Sequence, residues 1–147
     1  MPNETWEIVE TADALRRAVA RRVTAHGVTR SQWRVLARIS KEPGLRQVDL
    51  AERLDMEPIV LCRIVDKLEE SGFVERQRDP ADRRAWRLVL TAKAAPVIEE
   101  LHAVAAELAA EAFAGMTPSQ IEQMRSALAT VRDNVAEGGR NRKALGA

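Results

Sequence analysis

With 147 residues the chain is long enough for one domain with a real core, and 46% hydrophobic against 31% charged residues is the balance of a folded globular protein. No run approaches eighteen apolar residues, which argues against a membrane span, and the single cysteine excludes an internal disulfide or a multi-cysteine zinc site. The net charge of +1 is spread unevenly: residues 14–41 hold eight basic side chains and no acid, while 97–122 hold five Glu and no Asp, Lys or Arg. Such asymmetry suggests one face meant for a polyanion.

Residues 5–25 read as a helix capped by Thr5, with Glu7 and Glu10 in its first turns and arginines in its second half. "HGVTRS" breaks the pattern, and Thr29 or Ser31 caps a second helix carrying Trp33, Leu36 and Ile39 at helical spacing. "KEPG" ends it. A short third helix near 46–54 is expected to bury Val48, Ala51 and Leu54. The fourth, about 57–71, carries Leu61, Ile64, Val65 and Leu68 as a compact stripe. At about 100° per residue, Ile59 and Arg63 point away from that stripe, flanked by Val60 and Lys67.

"SG" stops the fourth helix, and the runs Phe73–Arg78 and Ala85–Leu90 read as a hairpin joined by "DPADRR". Thr91 begins a long Ala-rich helix reaching about Phe113, with Ile98, Leu101, Ala105, Leu108 and Ala112 at 3-4-3-4 spacing. Thr117 and Pro118 restart the chain as a helix carrying Ile121, Met124, Leu128, Val131 and Val135 at the same spacing. Two such seams suggest packing on another chain, with an intramolecular helical hairpin as the alternative. The domain reading is 1–28, an N-terminal dimerisation helix; 29–92, a compact module; 93–137, C-terminal dimerisation helices; and 138–147, a tail without periodicity that is expected to be mobile.

The segment Arg76–Leu88 packs five arginines into thirteen residues. Arginine suits a hairpin tip that reaches phosphates or enters a groove. Three helices followed by a two-stranded hairpin, the last helix apolar on one side and basic on the other, describe a winged helix-turn-helix. The fold class is therefore mainly α with a small β wing. A major groove admits one helix, and a hairpin beside it can put an arginine into the minor groove. Arg83 and Arg84 sit at that tip. They can also pair with Asp79 and Asp82 in a solvated turn, and both readings are expected in part, with Asp82 bracing one guanidinium.

"LRQVDLAERLDMEPIVLCRIVDKLEESGFVERQRDPADRRAWRLVLT" resembles the central segment of the MarR family of bacterial regulators, and is most similar to its SlyA-like branch. "QxxLAxxL", "RxVDxLExxGxVxR", "DRR" and "LT" follow in that order over about fifty residues. The resemblance implies a homodimer whose first, fifth and sixth helices interlock, carrying two winged modules to a palindromic operator in double-stranded DNA. It implies base-facing roles for Ile59, Val60 and Arg63, a minor-groove role for Arg84 and a wing brace at Asp82. Its dimer helices correspond to those bearing Ile98, Leu101, Leu108, Ile121, Met124, Leu128 and Val131. Family members often carry Pro, Ser or Thr at 59 and 60; the Ile and Val here put any inherited operator sequence in doubt.

The family also binds small aromatic acids in a crevice beside the dimer helices. Arg16, Arg17, His26, Arg30 and Trp33 could line such a crevice, offering cations for a carboxylate and an indole for a ring; individually each also reads as solvated or core. Cys62 flanks the recognition helix, where packing competes with redox sensing. His26 and His102 are too few for an all-protein metal site, so neither metal nor cofactor is expected. The chain contains no GxSxG, HExxH or GxxxxGK motif, and catalysis is not expected. The N-terminus lacks a signal-peptide pattern, so the cytoplasm is the expected location. The reading is a homodimeric DNA-binding regulator, a repressor released by a small ligand. The alternative is a dimeric winged-helix scaffold that binds protein.

Overall fold

The computed structural model describes residues 3–145, with side chains through residue 136 and at 138. The chain divides into two compact units, Met1–Leu108 and Ala109–Ala147. The first begins with α1 (Glu4–Val23), capped not by Thr5 but by Asn3, whose side chain accepts the Thr5 N–H at 2.9 Å. A short 3-10 turn and Gly27, at φ 74°, redirect the chain. Helix α2 (Arg30–Lys41) opens on a reciprocal cap in which Thr29 and Gln32 each bond the other's backbone N–H.

Helix α3 (Gln47–Leu54) ends on Asp55, a non-glycine residue at φ 50°, which turns the chain tightly into α4 (Pro58–Glu70). Pro58 occupies the first turn of α4, where its missing N–H leaves no intrahelical bond unmade. Strands β1 (Val74–Arg78) and β2 (Trp86–Leu90) pair antiparallel, Val74 opposite Leu90 and Arg78 opposite Trp86. The sheet has an extra partner that the sequence did not disclose. Arg46 bridges Arg87, and the Leu88 N–H donates to the Leu45 carbonyl at 3.0 Å. The residues that lead into α3 are thereby tied to the wing.

Leu36, Ile39, Leu50, Leu61, Leu68 and Leu88 are fully buried where α2, α3, α4 and β2 meet. The α4 stripe reads as expected, with Leu61, Val65 and Leu68 inside. The third helix does not. Val48 is 64% exposed, and Leu50 takes its place beside Ala51 and Leu54. The 45–46 bridge sets the rotation of α3, turning Leu50 inward and Val48 out.

Helix α5 (Ala95–Ala112) corrects a second expectation. Ile98, Leu101, Val104 and Leu108 are buried within the chain, while Ala105 and Ala112 lie exposed. Ile98, Leu101 and Val104 join the core of the winged module, so this stripe is spent inside the protomer and is not a free seam for a partner. Thr91, expected to begin the helix, instead precedes a 3-10 turn at Ala92–Ala94 and donates its hydroxyl to the Gly72 carbonyl.

In the second unit, Thr117 and Gln120 cap α6 (Pro118–Leu145) reciprocally. Ile121, Met124 and Leu128 are half-buried, whereas Val131 and Val135 are exposed. The helical backbone runs on to Leu145, well past the last apolar repeat residue. Residues 146–147 of the expected tail lie outside the described residues.

Candidate nucleic-acid interface

The outer arc of α4 spans Ile59, Arg63, Lys67 and Val60, within about 100° on a helical projection, and all four are exposed. The opposite face is consumed by the core. The flank towards the wing is consumed by Arg76. Its guanidinium reaches Asp66 at 2.6 Å, Glu69 at 3.0 Å, Gln47 at 3.0 Å and the Cys62 carbonyl at 3.3 Å. Burial alone pulls the Arg76 pKa down, but Asp66 and then Glu69 more than offset it and the net shift is upward. Arg76 therefore staples β1 to α4 and fixes which arc remains free. Cys62 is half-buried on this stapled flank, its Sγ 3.8 Å from Arg76.

Arg63 has no ion-pair partner among the described residues, and Lys67 meets only Glu70, at 3.5 Å in an exposed pair. Such a pair contributes little, so the ammonium remains available.

The five hairpin arginines divide by role. Arg76 is the staple. Arg78 lies over the Trp86 ring, 4.1 Å from its centroid, and donates to the Arg83 carbonyl. Arg87 donates through Nε to Asp79 at 3.1 Å. Only Arg83 and Arg84, at the tip, keep side chains without an ion pair, hydrogen bond or ring contact among the described residues. The tip thus carries free charge on a base built from arginines already in use.

Asp79, not Asp82, is the residue that gathers guanidinium groups. Its side chain is fully buried, and its Oδ2 accepts Arg46 at 2.7 Å as well as Arg87. Its Oδ1 accepts the Ala81 N–H at 2.8 Å, the local turn that an Asp-Pro pair favours. The Ala81 N–H first, then Arg87 and Arg46, hold its pKa down to about 2 against the opposing effect of burial. The expected Asp82–guanidinium brace is corrected accordingly. Asp82 accepts the Arg84 backbone N–H at 3.0 Å and shapes the tip through the main chain.

The candidate crevice residues separate. Arg16, Arg30 and Trp33 line one cavity of about 330 Å³, together with Val19, Arg34, Ala37, Arg38, Lys41, Arg53 and Leu54. Arg17 lines a different hollow beside Trp6 and Asp13, and His26 pairs with Glu100 at 3.2 Å. Neither belongs to the cavity. Burial first, then the charges of Arg16 and Arg30, lower the pKa of Arg34, with Asp55 opposing. Arg34 also donates to the Leu54 carbonyl at 2.7 Å, and Glu42 serves both Arg38 and Arg53. The result is a concave, cation-rich site with an indole in its wall. Its signal was in the sequence as Arg30, Arg34, Arg38 and Lys41 along one side of α2, near Trp33 and Ala37. Among the described residues no group of His, Cys, Asp and Glu could hold a metal ion, and no helix is long and apolar enough to cross a membrane.

Residues 28–86 match the model of the MarR family. The solved transcriptional regulator SlyA is 27% identical, with a TM-score of 0.78 over 92% of this chain and 96% of its own. A MarR transcriptional regulator from Methanosarcina mazei Go1 is 25% identical, with a TM-score of 0.77 over 88% and 96%. Wild-type MarR from E. coli, in its apo form, is 23% identical and shares the fold, with a TM-score of 0.76 over 89% and 97%.

Proposed function

From the match of residues 28–86 to the MarR family model, we propose that this chain is a homodimeric, sequence-specific DNA-binding transcriptional regulator of that family. One observation carries the proposal. Among the described arginines of α3, α4 and the wing, only Arg63 on the outer arc of α4 and Arg83 and Arg84 at the wing tip are exposed with no side-chain partner, and Asp79 and Arg76 lock the frame between them. In this reading Arg63 and Lys67 enter the major groove beside Ile59 and Val60, and Arg84, with Arg83, meets the minor groove.

The dimer would bring two such modules to a palindromic operator, with half-sites about 10 bp apart. Exposed Trp6, Ile8 and Val9 on α1, and exposed Val131 and Val135 on α6, supply apolar surface for a partner chain. Selecting duplexes from a random pool with the full chain tests the proposal. The enriched sequences should be two-fold symmetric. Enrichment of none would remove specific DNA binding.

A repressor of this kind is released when a ligand prefers a different setting of the modules. The cavity lined by Arg16, Arg30, Arg34 and Trp33 fits a small aromatic carboxylate, with its ring against the indole and its charge among the guanidinium groups.

A further inference from the structure

Three large apolar side chains of residues 29–92 are strongly exposed among those described: Val48 at 64%, Ile59 at 60% and Val60 at 45%. They are not scattered. Val48 is the second residue of α3, and Ile59 and Val60 are the second and third of α4. Val48 and Pro58 line one shallow cavity of about 360 Å³, whose far side is formed by Trp86 and Arg84 of the wing. The apolar residues thus stand at the leading ends of the two helices, between the unpaired Arg63 and the unpaired Arg84.

Core packing does not explain them, since Leu50 and Leu61 fill the adjacent core positions. The charges around them disfavour an apolar protein partner. Arg63 and Lys67 follow Ile59 one and two turns on along α4, Arg84 lines the cavity with Val48, Asp66 is taken by Arg76, and Asp82 is turned to the Arg84 N–H. The neighbouring acids without a partner among the described residues are Glu57, just before Pro58, and Asp49 and Glu52 on α3. A cationic rim around an apolar centre complements DNA, where phosphates flank the groove and the thymine C5-methyl is the apolar feature of its floor.

We propose that Val48, Ile59 and Val60 read thymine C5-methyl groups, so that this protein selects its site at those positions by methyl contact and not by hydrogen bonds to base edges. The inference rests on the DNA-binding function proposed above. Valine and isoleucine suit the task because their branched Cβ restricts χ1, so little freedom is lost when a methyl group settles against them. Neither can satisfy a donor or acceptor on a base edge, so a cytosine at the same place offers them nothing apolar to touch.

The test uses the tightest duplex recovered from a random pool with the full chain. Each thymine is replaced in turn by deoxyuridine, which removes the C5-methyl and keeps every hydrogen-bonding group. Binding should weaken about fourfold for each methyl read, the equivalent of one buried methyl group, at one or more positions in each half-site. In Val48→Ser, Ile59→Ser and Val60→Ser variants the thymine and deoxyuridine duplexes should bind alike at the matching position. These side chains are exposed, so an unchanged thermal melt verifies that the variants fold. If the wild type binds both duplexes equally, or the difference survives in all three variants, methyl reading is overturned while DNA binding stands. If the chain retains no duplex at all, the DNA-binding function fails and the inference falls with it.

Discussion

Arg46 Nε lies 2.7 Å from Asp79 Oδ2, joining the residue before α3 to the end of β1 across 33 positions of sequence. The same oxygen accepts Arg87, so one buried carboxylate sets the wing against the helix-turn-helix. Asp79→Ala should leave two guanidinium groups without their acceptor, lower the melting temperature and weaken DNA binding, although Asp79 is too buried to touch DNA. The acid dependence follows from the direction of its pKa. The folded value of about 2 lies below the ordinary 3.8. The stability it contributes is therefore complete above about pH 4 and lost as the pH falls towards 2. Thermal melts from pH 7 to pH 2 should lose part of that acid dependence in Asp79→Asn.

Arg63 and Arg84 should fail in different ways. Arg63→Ala is expected to cost about 1–3 kcal/mol and to relax preference at one position in each half-site. Arg84→Ala should weaken operators with A/T-rich flanks more than those with G/C-rich flanks, because a narrow minor groove attracts the guanidinium. Titrations against a panel of flanking sequences measure both. Equal losses on specific and random DNA would show that neither residue reads sequence.

Much of this site was legible because it is local. The α4 stripe fixes its own outer arc, and "DPADRR" announces an arginine-bearing turn from composition alone. What escaped depends on distance in sequence. Nothing near Asp79 indicates that Arg46 will reach it, so Asp82, three residues on and more exposed, reads as the natural brace. Val48 sits one position away from the face that the 45–46 bridge selects, and a periodicity taken over eight residues cannot resolve that rotation. The spacing of Ile98, Leu101 and Leu108 marks an apolar stripe on α5. Its destination, the core of its own chain, depends on packing that spacing does not encode.

The inward face of α5 changes which substitutions should break the proposed dimer. Leu101→Ala should cost the protomer about 2–5 kcal/mol with no change of stoichiometry in the folded fraction. Val131→Asp and Val135→Asp should leave the melt of the winged module intact and shift sedimentation towards the monomer, since a charge at an apolar contact is desolvated. A wild-type chain that sediments as a monomer at micromolar concentration would remove the dimer from the account.

The cavity beside α2 makes a separable prediction. Benzoate-type and cinnamate-type acids should release the protein from its operator. Trp33→Ala or Arg34→Ala should raise the concentration needed about tenfold, in line with the loss of a charge-assisted bond or a stacked ring. Arg17→Ala, which does not line this cavity, should respond as the wild type does. Fluorescence anisotropy of a labelled operator during acid titration reads all three.

The most direct test of the account is the salt dependence of DNA binding by the wild type and by an Arg63→Ala, Arg83→Ala, Arg84→Ala triple variant. A chain that seats these arginines on DNA releases counterions as it binds, so log K should fall linearly with log salt, with a slope near −0.9 for each phosphate neutralised. The triple variant should bind more weakly on a shallower slope, and its preference for operator over random duplex should collapse. If both proteins give the same slope and the same preference, the face of α4 and the wing tip are not where this protein meets DNA.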